Sequence, residues 1–523
     1  MPNRLYPYQQ EFVNRVRSEP RRWFWILGDE MGLGKTAQAL EVTRGMANVL
    51  IICPEPTLGS WSRECERWLS RAPHLLTNAD SLPARGVNIA PWSMVAKLAL
   101  RLRNVLWNAV VVDECHWAKN PDAKRTRAVF GSWGVQTNHV RRPGIIDSAD
   151  KVLCLTGTPV PNRPRELRSV IGAMSLRYHT EFTDRARTAV KWGSRYCNGH
   201  LADIHTTFSG VRRIYDDSGS SNLSELNRYL QDHGMVRRTK ADVLPDLPPL
   251  RMQVVPIMSA DVPSMPVEWG EQVVAAILGK GTIPPFDQIS EYRLQLALAK
   301  VPAVVEYTRE ILDETYGESL VVFCHHREVA EKISDSLCKD GVVSGCIYGS
   351  TPVRVRNKYV TAFRKRKVRV LVTTIGTMGT GIDGLQEVAD TCVVAELPWV
   401  PAQLQQAIGR LHRIGQQSCV LAHLLVAPDT MDAYIVDTLL AKTSVIDQIL
   451  TEERDFNDSD IHSVTGSAHR VFASSLKNVG FPKCTGQCAV VEALGAGECS
   501  SVCCWKFDEE GLPVKNSVTE VNG

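Results

Sequence analysis

WFWILGDEMGLGKTAQALEV, running from Trp23 to Val42, decides the fold. An apolar run ends in a glycine-rich turn. A helix is predicted beyond it, because Ala37, Ala39, Leu40 and Val42 follow with no proline among them. Strand, turn and helix in this order bring backbone N–H groups and a helix N-terminus around phosphate oxygens. Gly32 and Gly34 then belong to the cradle, Lys35 reaches the β and γ oxygens, and the Thr36 hydroxyl binds Mg²⁺. The strict pattern asks for glycine five residues before Gly34. Asp29 stands there, and Gly28 sits one place earlier.

Outward from this unit the apolar runs RRWFWIL, NVLIICP, NAVVVDE and KVLCLTG each end in a turn signal or polar group. Near-continuous apolar runs indicate parallel strands covered on both faces. A second set follows in SLVVFCH, VRVLVTT, DTCVVAE and CVLAHLLV, and two sets imply two α/β lobes. The expected division is a first lobe over residues 1–245 with a helical insertion at about 169–242, and a connector over 246–285. A second lobe then fills 286–450, and a Cys-rich tail follows over 451–523. The proline-rich LPDLPPL resists helix and strand alike and marks the way out of the first lobe.

Phosphoryl transfer also needs a carboxylate for the metal and a group to position water. NAVVVDECHWAKN supplies both at the end of a buried strand, with Asp113 placed to hold Mg²⁺ and Glu114 to orient or deprotonate the attacking water. A carboxylate pair in that position could cap a helix instead. The phosphate loop upstream favours catalysis. His116, fourth in this motif, is expected to link the site to the other lobe.

With these residues in place the chain resembles the Swi/Snf-type branch of superfamily-two helicases, from about Leu5 to about Leu450. LYPYQQEF looks like the entry motif whose glutamine, here Gln9, recognises adenine. DEMGLGKT is similar to that branch's phosphate loop and carries Asp29 at the same place. DECHWAKN resembles the acidic box, with Cys115 for the more usual small residue, and LTGTP resembles the motif that couples hydrolysis to lobe movement. MVRRTKADVLPDLPPL looks like the brace between lobes, and LHRIGQQ is nearly diagnostic of the branch. YCNGH, GSSNLSEL, GTPVPNRPREL, VVFCHHREVAEKI and CVVAELPW resemble the annealing-helicase subgroup, whose accessory DNA-binding modules are not recognisable in this sequence. The resemblance implies two RecA-like lobes, ATP and Mg²⁺, and double-stranded or forked DNA as partner. Translocation with little conventional unwinding is the implied activity.

It also assigns roles in the second lobe. QQAIGRLHRIGQ holds Gln406, Gly409, Arg410 and Arg413, and three-residue spacing puts both guanidiniums on one helix face. Lobe closure would bring them to the γ-phosphate, where an arginine finger is worth about 10³–10⁵ in rate. TTIGTMGTGID resembles the motif that grips the DNA backbone, so Thr374, Gly379 and Gly381 are expected at DNA phosphates. Trp399, between two prolines in PWVPAQ, is expected either to stack or wedge against DNA or to pack in the core.

Composition sets the outer bounds. With 523 residues and a net charge of +3, the whole-protein field gives DNA binding little support, so contacts must be local. Basic runs near Arg141, Arg237 and Arg364 are candidates, RKRKVR reading best as a charged helix end. No apolar run has membrane length, and MPNRLYPYQQ lacks a signal-peptide stretch. The expected location is the cytoplasm, on the nucleoid, in a bacterium or virus, and the nucleus in a eukaryote. Cys53, Cys154, Cys324 and Cys392 read as buried thiols. In the tail, the spacing of Cys484, Cys488, Cys499 and Cys503 allows a four-thiolate Zn²⁺ site, with free thiols as the alternative. Two rival functions remain at this level: a strand-separating DNA or RNA helicase, and a non-motor ATP-regulated clamp.

Overall fold

The computed structural model describes residues 4–133, 141–159, 163–175, 188–206, 210–217, 219–259, 262–263, 286–314, 319–378, 382–428, 430–436, 439, 505–507 and 513–515. In the first lobe, the strands are β1 (Phe24–Leu27), β2 (Asn48–Cys53), β3 (His74–Leu75), β4 (Gly86–Pro91) and β5 (Trp107–Asp113). A two-residue ladder follows, β6 (Ser132–Trp133) against β7 (Arg141–Arg142). Then come β8 (Ala149–Leu155), the hairpin β9 (His200–Thr206) and β10 (Gly210–Asp216), and β11 (Met235–Val236). Seven of these form one parallel sheet in the order β11-β1-β8-β5-β2-β4-β3.

Side-chain alternation sorts this sheet's apolar residues onto two faces. Phe24, Ile26, Val110 and Val112 join one core, and Trp25, Leu27, Val111 and Leu153 join the other. Each side chain buried to this degree contributes about 1.5–3 kcal/mol. Both faces are covered, which is why the sequence shows continuous apolar runs here and not alternation.

The second lobe repeats the scheme with β12 (Leu250–Pro256), β13 (Leu320–Cys324), β14 (Ser344–Ile347), β15 (Val370–Thr374), β16 (Thr391–Val394) and β17 (Val420–Val426). They run parallel in the order β12-β17-β16-β13-β15-β14. Val321 and Phe323 face one core while Val322 and Cys324 face the other. Among the described residues, the helix Phe286–Glu314 and all others are too short or too polar to cross a membrane.

Two expectations need adjusting. The insertion is helical at Arg168–Met174, Ala189–Tyr196 and Leu223–Asp232, but it also carries the antiparallel hairpin β9–β10, with Gly210 opposite Thr206. Ile204, Thr206, Val211, Ile214 and Tyr215 supply the β-branched and aromatic character that favours strands there. The stretch expected as connector contains β12, which pairs with β17 from Leu250↔Val420 to Pro256↔Val426. Leu250 and Pro256 bracket it and hide a strand, because proline is tolerated at strand ends and on edges.

The RKRKVR run begins at the last residue of the helix Val353–Arg364, and Arg364 pairs with Glu387, so it is a charged helix end. Cys53, Cys154, Cys324 and Cys392 are buried, as expected. Cys484, Cys488, Cys499 and Cys503 lie outside the described residues. Among the described residues no group of three or more His, Cys, Asp or Glu is arranged to hold a metal.

Candidate active site

The phosphate loop leaves β1 and enters the helix Lys35–Thr43 through two left-handed glycines, Gly32 at φ +89° and Gly34 at φ +74°. Both conformations disfavour any residue with a Cβ. At Gly34 a Cβ would also run into the Gln9 amide. Lys35 Nζ donates to the carbonyls of Asp29 at 2.7 Å and Glu30 at 3.1 Å. Burial pushes its pKa down, against the opposing pull of Glu114, Asp29 and Asp113.

Asp113 ends β5, and Glu114 follows it in the left-handed region at φ +49°. Strained backbone of that kind collects at functional sites. Asp113 is fixed by two indoles: Trp61 Nε1 donates to Oδ2 at 2.8 Å, and Trp92 Nε1 to the carbonyl at 3.0 Å. Burial, then the neighbouring Glu114, raises the Asp113 pKa to about 7. Burial also acts to raise Glu114, but His116, Lys35 and Arg410 outweigh it, and the carboxyl is held below its usual range. His116 Nδ1 lies 3.1 Å from Glu114 Oε2 and 3.1 Å from Thr156 Oγ1. His116 was expected to reach the other lobe. It connects instead to LTGTP at the end of β8, within the first lobe. At Gly157 in that motif a Cβ would collide with Met31 of the phosphate loop.

From the second lobe, the helix Pro401–Ile408 and the turn after it carry Gln406, Gly409, Arg410 and Arg413 to the same place. A cavity of about 420 Å³ opens between the lobes, within the usual range for ligand sites. It is lined on one side by Gly32, Gly34, Lys35, Thr36, Asp113 and Glu114, and on the other by Gln406, Gly409, Arg410 and Arg413. Both guanidiniums bond Asp383 Oδ1, Arg410 at 3.3 Å and Arg413 at 2.7 Å. Burial depresses the Arg410 pKa, while Asp383, Glu114 and Asp113 support its charge, so this guanidinium feels the acidic pair across the cleft.

Two residues expected at the nucleotide do not line this cavity. Asp29 is fully buried behind the loop and makes a two-point ion pair with Arg238, at 3.0 and 2.7 Å. Gln9 is also buried, accepting from Tyr6 N at 2.9 Å and donating to the Leu33 carbonyl at 3.0 Å. In this state its amide braces the loop from behind. Among the expected DNA residues, Gly379 and Gly381 lie outside the described residues. Thr374 is buried and shares a 2.6 Å hydrogen bond with Thr377, leaving its side chain turned inward. Trp399 is half-buried, packs on the second lobe's core and lies under the Arg293 guanidinium, 5.3 Å from the ring centre. Of its two expected roles, this is the packing one.

Sequence reading missed Trp61 and Asp383. Trp61 and Trp68 sit seven apart on the helix Leu58–Leu69, both line the cavity, and that spacing on a helix opening straight after β2 was the available signal. Asp383 stood inside TTIGTMGTGID with nothing local to single it out.

Two adjacent half-buried carboxylates, with the Thr36 hydroxyl in the same cavity, form a hard oxygen set. Mg²⁺ is commonly held by one or two carboxylates together with substrate phosphates, so the residues fit that ion.

Phosphate-binding machinery on one parallel-sheet lobe, met by arginines from a second, is the arrangement of a two-lobed helicase-type core. Residues 8–261 match the SNF2-related domain, and residues 303–415 match the helicase conserved C-terminal domain. The chain belongs to the SNF2-related helicase family. Family membership implies ATP with Mg²⁺. It is 30% identical to the SWI/SNF-related matrix-associated actin-dependent regulator of chromatin subfamily A-like protein 1 of Xenopus tropicalis, over 87% of this chain and 46% of that protein. It is 29% identical to the mouse DNA annealing helicase and endonuclease ZRANB3, over 86% of this chain and 41% of that protein. The chain thus spans under half the length of these relatives. A Sulfolobus solfataricus SWI2/SNF2 ATPase core solved with dsDNA aligns with 91% of this chain and 96% of its own, at 19% identity and a TM-score of 0.39.

Proposed function

We propose that this chain is an ATP-driven motor that translocates along double-stranded DNA. The observation that carries the proposal is the shared cavity, in which Arg410 and Arg413 of one lobe face Lys35, Asp113 and Glu114 of the other. On this reading Lys35 and the loop amides hold the β and γ phosphates. Glu114, held low by His116, Lys35 and Arg410 against the effect of burial, orients or deprotonates the attacking water. Thr36 and Asp113 would hold Mg²⁺, which when bound supplies neutralisation of phosphate charge. Arg410 and Arg413 leave Asp383 for the charge that accumulates on the transferring phosphoryl group.

Because the arginines and the phosphate loop sit on different lobes, hydrolysis is tied to closure, and closing and reopening would step the protein along DNA. Binding through phosphates makes it sequence-independent and salt-sensitive. One relative is named as a DNA annealing helicase and endonuclease, which extends the proposal to strand annealing. The reading divides the chain into an ATP-binding lobe over residues 1–245 and a helicase lobe reaching residue 450, with the connector ending where β12 begins.

The test is steady-state ATP hydrolysis with no nucleic acid, duplex, single-stranded and forked DNA, and RNA, beside Glu114→Gln. Stimulation by duplex or forked DNA that the variant loses supports the motor. Stimulation by RNA or single strands alone moves the chain to the strand-separating class. Hydrolysis indifferent to every nucleic acid leaves a clamp.

A further inference from the structure

The segment after β11 runs along the phosphate loop before it enters the second lobe. Arg237 donates to the Gly28 carbonyl at 3.0 Å, Arg238 pairs with Asp29, and the Lys240 amide donates to Glu30 at 2.7 Å. Three successive residues ahead of the loop are thus held by this segment. Thr239 caps the short helix Lys240–Val243, which fixes where the Lys240 side chain begins.

That side chain is 7% exposed and reaches two partners. Its ammonium lies 2.9 Å from Glu30 Oε1 and 3.5 Å from His412 Nδ1, and His412 belongs to the arginine turn of the second lobe. The other imidazole nitrogen, Nε2, lies 3.0 Å from the Pro248 carbonyl. A carbonyl only accepts and an ammonium only donates, so Nε2 carries the hydrogen and Nδ1 is the acceptor. His412 is therefore neutral, in one tautomer, between two points of the chain that leads out of the first lobe. Burial and the Lys240 charge both depress its pKa, consistent with that form. Close by, a Cβ on Gly32 would lie 2.7 Å from Arg413 Cβ and 3.7 Å from Lys240 Cε, so the contact sits where the two lobes meet.

We propose that Lys240 and His412 form an inter-lobe latch, in which the first-lobe lysine, clamped to the phosphate loop by Glu30, holds the arginine turn in register for hydrolysis. Both are positioning residues. Their loss misplaces Arg410 and Arg413 relative to the nucleotide without removing any nucleotide ligand of the first lobe. The inference rests on the motor reading and adds to it the link through which loop and arginines are kept aligned.

The experiment uses the full chain and single-turnover ATP hydrolysis with saturating duplex DNA, together with binding of a fluorescent ADP analogue and of labelled duplex. It compares wild type with Lys240→Met, His412→Leu, His412→Asn and the double variant Lys240→Met/His412→Leu. Removing either partner should slow hydrolysis on the order of 10²-fold, the scale set by a misplacement of about 1 Å. ADP and duplex affinities should stay within about threefold, since only the transition state loses an interaction. The double variant should be no slower than the slower single, as expected of residues acting through one contact. Asn at position 412 keeps a short acceptor toward Lys240 and should recover most of the rate. Lys240 is buried and its loss could unfold the chain, so His412→Leu, on a turn, tests the latch independently. Unchanged rates, losses that multiply in the double variant, or affinities that fall with the rate overturn the latch. Wild type whose hydrolysis ignores DNA overturns the motor reading instead.

Discussion

At Asp113 the residue that fixes the carboxylate proposed to hold Mg²⁺ is a neutral one. Trp61 is 2% exposed, and its indole N–H points at Oδ2 from a helix that the acidic motif itself gives no hint of. Phe at position 61 would keep most of the ring's packing and remove the donor, freeing the carboxylate to turn. Groups behind metal ligands typically change metal affinity or activity by about 10–100-fold when removed. Trp61→Phe should therefore weaken the apparent Mg²⁺ affinity of the ATPase by about that factor, with the fold kept, as read from Mg²⁺ titration at fixed ATP. An unchanged Mg²⁺ dependence would show the indole to be packing alone. The same residue marks the limit of legibility at this scale. Lys35, Thr36, Asp113 and Glu114 announced themselves because their chemistry needs charge or hydroxyl at fixed spacing. A tryptophan that serves through one hydrogen bond looks, in sequence, like any core aromatic. Gln9 and Asp29 show the converse: a motif position identified them, yet both support the loop from behind.

Among the elements, most strands buried on both faces were legible and those at edges were not; β4 is the exception, interior and buried, yet GVNIAP holds too broken an apolar run to stand out. β1, β2, β5, β8, β13, β15, β16 and β17 carry the apolar runs that sandwiched strands require. β3, β11, β12 and β14 are edge strands or lie at the sheet's margins, are short or polar, and give no comparable run. The helix Phe286–Glu314 contains Pro302, which should discourage it, and it is anchored nonetheless. Lys300, 1% exposed, donates to the Ala395 carbonyl at 2.7 Å, the Leu425 carbonyl at 2.9 Å and Asp432 Oδ2 at 2.6 Å. One ammonium thus ties this helix to the ends of β16 and β17 and to the segment beyond. Its removal would strand the Asp432 charge and two carbonyls in the interior, and breaking a buried pair from one side costs about 3–5 kcal/mol. Lys300→Met should lower unfolding stability by that amount in a denaturant titration, and Lys300→Met/Asp432→Leu should recover part of it. A single variant as stable as wild type would mean the charge is not buried in solution.

For the molecule as a whole the question is how close the lobes come, because a site divided between them exists only at contact. Gly32 measures this. Its φ of +89° already disfavours a side chain, and an added Cβ would lie 2.7 Å from Arg413 Cβ and 3.3 Å from Arg413 Cα. Backbone on the far lobe cannot yield as a flexible side chain would, so Gly32→Ala should hold the lobes apart. Gly45 separates this effect from strain, since its φ of +86° is nearly the same and nothing lies within 4 Å of its Cβ position. Each substitution should carry a conformational penalty of about 1–3 kcal/mol. Only Gly32→Ala should also lose hydrolysis, on the order of 10²-fold for a displacement near 1 Å. Thermal melts, ADP binding and DNA-stimulated turnover on both variants check this together. If the two lose stability alike and Gly32→Ala still binds ADP as wild type does, while turnover falls only in Gly32→Ala, the contact between phosphate loop and arginine turn is made during catalysis. If Gly32→Ala turns over as fast as Gly45→Ala, the lobes react at a wider spacing, and the arginines must reach the phosphate by side-chain extension and not by the approach of the backbones.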